Sequence, residues 1–213
     1  MNIILLGMPG SGKGTQADKL IKRYGLYFLP GGDLSRKWAK KDMRIKRIVE
    51  GGELIPEKEM TEHVLDYLNK NVPEGDNILF EGWPRFITQY NDLLDWLRVK
   101  GKDVSYVIFL RMDEESVIKR LSDRRVCVKC GEVYNLITNP PSGELCKCGG
   151  GLIIRKDDNP KSVRTRFQYY YDNTGKLVDH LRGENNFIEV NADRPIDVIF
   201  EDIVARLKEN GRR

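Results

Sequence analysis

The chain has 213 residues, 40% of them apolar and 32% charged, with a net charge of +4. That length suits one substantial core with small inserts and is short for two full domains. No apolar run approaches the roughly 18 residues of a membrane span, and the N-terminus lacks the basic-then-apolar pattern of a secretory signal, so cytoplasmic placement is expected.

The N-terminal run Ile3-Ile4-Leu5-Leu6 reads as a buried strand. Gln16 onward reads as helix, with Ala17, Leu20, Ile21 and Tyr24 on one face. Leu26–Leu29 reads as a second strand, broken at Pro30-Gly31-Gly32. Asp33 is placed to cap a helix carrying Leu34, Arg36 and Trp38. Gly51-Gly52 closes the next helix, and Leu54-Ile55-Pro56 leads into another with Met60, Val64, Tyr67 and Leu68 inward. Asn77–Phe80 is a third strand, followed by the helical stripe Phe86, Tyr90, Leu93, Leu94 and Leu97. Val104–Leu110 is a fourth, nearly all apolar as a central parallel strand should be. The helix after it turns Val117, Ile118 and Leu121 inward.

Residues 126–156 interrupt this rhythm with cysteines, glycines and prolines. Asn159-Pro160 then marks a helix start, a cap residue before proline at the first helical position. The long helix buries Val163, Phe167, Tyr170, Tyr171, Leu177, Val178 and Leu181, and Gly183 ends it. Asn186–Val190 is a fifth strand. Pro195 opens the last helix, with Ile196, Ile199, Phe200, Ile203 and Leu207 inward. Strands alternating with helices predict an α/β fold, a doubly wound five-stranded parallel sheet. Ligands in such sheets sit at the carboxyl ends of strands, where Gly7–Thr15, Gly31–Arg36 and Glu81–Gln89 converge.

The stretch Gly7-Met8-Pro9-Gly10-Ser11-Gly12-Lys13-Gly14-Thr15 lies between a strand and a helix, where a phosphate-binding loop belongs. Its glycines let successive N–H groups point at an anion, and the helix dipole adds to the attraction. Lys13 would reach the outer phosphates and the Thr15 hydroxyl could serve magnesium. All four cysteines lie between positions 127 and 148, which argues for a metal rather than disulfides. Cys127-Val128-Lys129-Cys130 is a well-formed knuckle, while Cys146-Lys147-Cys148 is a tighter pair. Four thiolates suit structural zinc, with reduced or redox-active thiols as the alternative. A mild positive charge suits anionic small substrates and nucleic acid equally, but no aromatic-interleaved basic patch surrounds the cysteines.

Taken together and in order, these motifs resemble the adenylate kinases, in the long form with a metal-binding lid, over essentially the whole length. The matching pieces are Gly7–Gln16, Gly32–Arg36, Gly52–Pro56, Gly82–Arg85 with Gln89, Arg120–Arg125, the four cysteines, and Arg155–Asp158 with Arg166. The resemblance implies a core of the P-loop NTPase type over 1–29, 57–122 and 159–213, a helical NMP-binding insert over 30–56 and a small zinc-binding lid over 123–158. It implies phosphoryl transfer from ATP to AMP with Mg2+, structural Zn2+ on Cys127, Cys130, Cys146 and Cys148, and a monomer with no nucleic-acid or membrane partner. ATP would lie on Gly10, Ser11, Gly12, Lys13, Gly14 and Thr15, with Arg120, Arg124, Val133, Tyr134 and Arg194. AMP would lie on Gly31, Arg36, Glu53, Leu54, Ile55, Gly82, Arg85, Gln89, Arg155 and Arg166.

The catalytic set implied is Lys13, Arg85, Arg124, Arg155 and Arg166. The chemistry fits, because 36 Lys and Arg against two His suit charge neutralisation rather than proton transfer. Arginine's planar fork holds phosphate in a bidentate way and stays charged. Gln89 favours adenine as the acceptor base, since Gln can exchange a donor and an acceptor with its edge. Two positions depart from the family pattern. Gly31 stands where adenylate kinases carry Thr, removing one contact to the acceptor base. Glu81 stands where an Asp near the magnesium waters is expected.

Overall fold

A computed structural model describes residues 1–210, with side chains to Lys208, so the last three residues of the core segment expected over 159–213 lie outside the described residues. In chain order the elements are β1 (Ile3–Gly7), α1 (Lys13–Tyr24), β2 (Tyr27–Pro30), α2 (Gly31–Ala39), α3 (Met43–Gly51) and α4 (Glu57–Asn71). There follow β3 (Ile78–Glu81), α5 (Ile87–Arg98), β4 (Tyr106–Arg111), α6 (Glu114–Ser122), β5 (Arg124–Cys127), β6 (Val133–Asn135) and β7 (Leu152–Ile153). After a 3-10 turn at Lys156–Asp158 come α7 (Pro160–Tyr169), a π-helical segment (Tyr170–Gly175), α8 (Lys176–Leu181), β8 (Phe187–Asn191) and α9 (Ile196–Asn210).

The main sheet is five-stranded and parallel, in the order β2-β3-β1-β4-β8, with β1 at its centre. Because successive strand residues face opposite ways, β1 feeds two cores. Ile4 and Leu6 join Val64 and Leu68 of α4, Leu93 and Leu97 of α5 and Leu177 of α8. Ile3 and Leu5 join Ala17 and Leu20 of α1, Val117 of α6, Phe167 of α7 and Ile203 of α9. Helices therefore cover both faces, as a continuous apolar strand demands. A second, antiparallel sheet, β6-β5-β7, is separate from the first; Cys127 ends β5, and Cys130, Cys146 and Cys148 lie in the loops that connect its strands. No helix among the described residues is long and apolar enough to cross a membrane.

Three expectations change. Asp33 does not cap α2: the helix begins at Gly31, directly after β2, so Asp33 lies within its first turn and pairs with Arg36 instead. Ile118 is 45% exposed, because Val117 and Leu121, four apart, already form the inward stripe of α6. Tyr171 is 50% exposed and donates its hydroxyl to Glu114 at 2.8 Å. The wider π turn that divides α7 from α8 rotates the face that a continuous α-helix would have presented. The Asn159 cap holds as expected, accepting from Ser162 N at 3.0 Å.

Candidate active site

The loop from β1 to α1 opens at the carboxyl edge of the central strand. It folds back on itself, Ser11 N donating to Met8 O at 3.1 Å, and α1 starts at Lys13 with no acidic residue in its first turn. The helix's positive end is thus left for an anion. Lys13 Nζ donates to Gly7 O and Met8 O, both at 2.9 Å, and lies 4.0 Å from Glu81 Oε1 at the end of β3. Burial pushes the Lys13 ammonium down to about 8, with Glu81 opposing and Arg85, Arg166 and Arg124 adding to the fall. Thr15 and Glu81 offer hydroxyl and carboxylate oxygens beside this loop, the donor type a hard cation such as Mg2+ takes.

Arg36 of α2, Arg124 of β5 and Arg166 of α7 meet Arg85 and Arg155, from the loops after β3 and β7, and Arg85, Arg124 and Arg166 act directly on Lys13. Burial lowers Arg85 to about 10, with Glu81 opposing and Arg166 and Arg36 adding to the fall. Burial likewise lowers Arg155 to about 10, helped by Arg36 and Arg124, and lowers Arg166, helped by Arg124. All remain charged at neutral pH, so the cleft gathers mutually repelling cations that anions would relieve.

Asp157 and Asp158 hold this cluster together, a role that sequence reasoning did not give them. The Asp158 carboxylate has no exposed surface; it accepts from Arg124 through both oxygens, Nε to Oδ2 at 2.7 Å, and from Arg166 Nη1 at 3.0 Å. Asp157 lies 3.6 Å from Arg166 and 3.9 Å from Arg155. Burial alone would raise the Asp157 carboxyl, but these arginines hold it below the ordinary carboxylate range. Two adjacent acids immediately after an Arg-Lys pair, next to a cap residue, were the available signal.

A cleft under α2 and α3 brings together Arg36, Glu53, Leu54, Ile55, Gly82, Arg85, Gln89 and Arg166, with Ser35 and Trp83, which lie in the matched motifs but were not named as site residues. Gln89 is 1% exposed; its Oε1 accepts from Arg85 N at 2.9 Å and its Nε2 donates to Glu57 O at 3.2 Å. One N–H and one lone pair remain for a ligand. Gly31 is not among the residues that line this cleft, and a side chain there is excluded sterically. A Cβ there would stand 2.9 Å from Gly82 C, 3.0 Å from Gly82 O and 3.1 Å from Glu81 O, all backbone. A side chain at 31 is not simply missing; the neighbouring strand end occupies its place. Gly31→Thr is therefore expected to destabilise the fold by about 1–3 kcal/mol through overpacking and to raise, not lower, the KM for the acceptor. Thermal melts and acceptor titrations of Gly31→Thr and Gly31→Ala check this, and a Thr variant as stable as its parent with tighter acceptor binding would refute it.

On the opposite side, Arg120 stands beside the phosphate loop, its Nη1 3.7 Å from where a Gly12 Cβ would sit, and donates to Ala192 O at 3.0 Å. Arg194 is held by Asp202 and donates to Asn191 O at 2.9 Å. Val133 is 44% exposed on β6. Tyr134 departs from expectation: it is 3% exposed, and its hydroxyl contacts Cys146 Sγ at 3.4 Å. Its side chain is a wall of the cysteine cluster, which leaves only its backbone for a nucleotide.

The four cysteine Sγ atoms lie within 4.8 Å of one another, with Cys127–Cys148 and Cys130–Cys146 each at 3.5 Å. A tetrahedron of Zn–S bonds has edges of about 3.8 Å, so the set fits. The tight Cys146–Cys148 spacing is closed by a turn, Gly149 N donating to Cys146 O at 2.8 Å and Cys146 N to Gly150 O at 2.9 Å. Gly150 is required there, since a Cβ would sit 2.5 Å from Cys127 Sγ. The Cys148 N–H and the Tyr134 hydroxyl draw the Cys146 thiol down to about 6. For Cys130 a backbone N–H at Glu132 works to lower the thiol, but Cys148 and Cys146 push it up to about 12. Thiols so crowded do not all ionise without a cation between them.

Cations gather at two places, beside the loop before α1 and beneath α2 and α3. That is the layout that a nucleoside monophosphate kinase requires. The adenylate kinase family model matches residues 5–186. The adenylate kinase of Kosmotoga olearia is 37% identical over 214 aligned positions, covering 98% of this chain and 99% of the relative. Those of Thermosipho africanus, at 36% over 210 positions (96% and 98%), and Bacillus licheniformis, at 34% over 209 (95% and 96%), are similar throughout as well. The chain belongs to the adenylate kinase family.

Proposed function

We propose that the chain catalyses reversible transfer of the terminal phosphoryl group of ATP to AMP, giving two ADP, with Mg2+ bound alongside ATP. The observation that carries this reading is the convergence of Lys13, Arg85, Arg155 and Arg166, each driven below its ordinary pKa by burial and by its neighbouring cations. The acceptor is a phosphate oxygen already ionised at neutral pH, so no general base is needed. Catalysis reduces to alignment and charge neutralisation in a dry site.

In this reading the loop 7–15 cradles the donor phosphates and Lys13 exchanges its two backbone acceptors for phosphate oxygens. Arg36 and Arg85 hold the acceptor phosphate. Arg124, Arg155 and Arg166 surround the group in flight, oriented by Asp157 and Asp158. Arg120 lies against the donor base, and the spare N–H and lone pair of Gln89 read the acceptor base. Thr15 and Glu81 would hold the magnesium directly or through water, and the ion would supply neutralisation of the phosphate oxygens. The insert 30–56 covers the acceptor and the lid 123–158 covers the donor, over a core of 1–29, 57–122 and 159–213. Covering both excludes the water that would otherwise take the phosphoryl group.

A coupled assay with MgATP against AMP, GMP, UMP and CMP in parallel tests the reading. ADP formation with AMP alone is expected. Transfer to a different monophosphate would reassign the acceptor, and ATP binding without transfer to any of the four would sink the proposal.

A further inference from the structure

The hairpin of α2 and α3 carries a charge that the cleft chemistry leaves unused. Residues 36–47 hold seven Lys or Arg against one acid, Asp42, a net +6, where the whole chain carries +4; the other 201 residues therefore sum to −2. Arg36 faces the cleft, Arg44 pairs with Glu59, and Asp42 is spent capping α3 through Arg44 N and Ile45 N. That leaves Lys37, Lys40, Lys41 and Arg47 exposed and Lys46 half-buried, none with a carboxylate within 4.0 Å among the described residues. Five cations packed on one hairpin repel one another, and no neighbouring element answers them.

The position of the hairpin suggests what the charge does. Arg36, next to Lys37, and Val49, two residues past Arg47, line the cleft, and the nine residues of α2 span about 13 Å, so the cations lie within a helix length of it. At 0.1 M salt the screening length is about 10 Å, and at 0.01 M about 30 Å, so their field spans the entrance whenever salt is low. The hairpin bears one exposed apolar side chain, Met43, but no exposed aromatic. Single-stranded nucleic acid would want a groove and stacking faces there.

We propose that Lys37, Lys40, Lys41, Lys46 and Arg47 form an encounter surface that steers anionic nucleotides, the acceptor monophosphate above all, into the cleft beneath the insert. The proposal rests on the phosphotransfer reading for the identity of its ligand, and its action is on association, not on the chemical step. Charge-lined entrances raise on-rates at low salt without new contacts in the bound state.

The test compares the native chain with a K37Q/K40Q/K41Q/K46Q/R47Q variant by stopped-flow association of N-methylanthraniloyl-AMP over 0.01–0.3 M salt. A control variant neutralises Lys22, Arg23, Lys70, Arg98 and Lys208, which lie toward the C-terminal ends of their helices, away from the cleft edge. The hairpin variant is expected to associate about fivefold more slowly at 0.01 M and to match the native chain at 0.3 M. N-methylanthraniloyl-adenosine, lacking the phosphate, should show no such difference, and kcat should not change. Equal salt slopes for native chain and hairpin variant would overturn the proposal, as would an equal loss in the control variant or no binding of the labelled AMP. Steered association by a chain that phosphorylates no monophosphate would instead overturn the phosphotransfer reading alone. Retention of labelled RNA by the native chain but not by the hairpin variant, with unchanged nucleotide association, would reassign the surface to a polyanion.

Discussion

Arg166→Gln is expected to lower kcat by about 10^3-fold, with kcat/KM falling in parallel, the scale at which an arginine acts on a phosphoryl group in flight. Arg166 lines the cleft under α2 and α3 and is held by Asp157 and Asp158, so its fork is aimed before any ligand arrives. A pre-aimed charge costs no reorganisation during reaction, which is where its advantage over water lies. Arg166→Lys keeps the charge and loses the planar fork, and should recover only about a tenth of the lost rate. Folding should survive both changes, because Asp158 keeps its bidentate partner Arg124. Steady-state kinetics with both substrates varied, alongside thermal melts, check the prediction. A Gln variant within tenfold of native kcat would remove Arg166 from the transition state.

The pattern of strands and helices was open to reading because each element obeys its own periodicity. The near-continuous apolar runs at Ile3–Leu6 and Val104–Leu110 can only be satisfied by cover on both faces, and the two cores supply it. The cationic set was named through the resemblance, with a chemical reason beside it: phosphate needs many forks, and 36 Lys and Arg against two His suit that task. What escaped was whatever depends on through-space neighbours. Asp157 and Asp158 carry only the weak local signal of two adjacent acids after Arg155-Lys156, and their role is set when Arg124 and Arg166 arrive from other elements. Gly31 read as a lost hydroxyl, whereas the backbone of Gly82, some fifty positions along the chain, decides that no side chain fits. Tyr134 sits in the expected lid, but its aromatic ring is drawn to the sulfurs rather than to the cleft. The π turn at Tyr170–Gly175 is likewise invisible to a 3.6-residue period, which is why Tyr171 was placed on the wrong side.

Removal of metal from the cysteine cluster should have the largest effect on stability. Outside the four sulfurs, the lid has almost no interior: Cys127, Tyr134 and Cys146 are its buried members, with Leu152 packed against them. Seven of the twelve large apolar side chains exposed among the described residues lie in this segment: Val128, Val133, Leu136, Ile137, Leu145, Ile153 and Ile154. A segment that leaves its apolar surface in water does not offset its own chain entropy by burial, and a metal held by the four thiolates would supply the missing order. Stripping the metal with a thiol-competing chelator, or replacing Cys148 by Ser, is expected to lower the thermal midpoint by about 10 °C or more. Zinc analysis should fall from one ion per chain to none, and limited proteolysis should cut first between residues 123 and 158. The parallel sheet, with its own two cores, should keep its far-ultraviolet signature below the new midpoint. Activity should fall with lid order, because Arg124 and Arg155 are carried at the two ends of that segment and reach the cleft only when it is folded. A metal-free chain that melts within about 2 °C of the native one and resists cleavage in the lid would show that the sulfur cluster holds itself together by packing and hydrogen bonds alone.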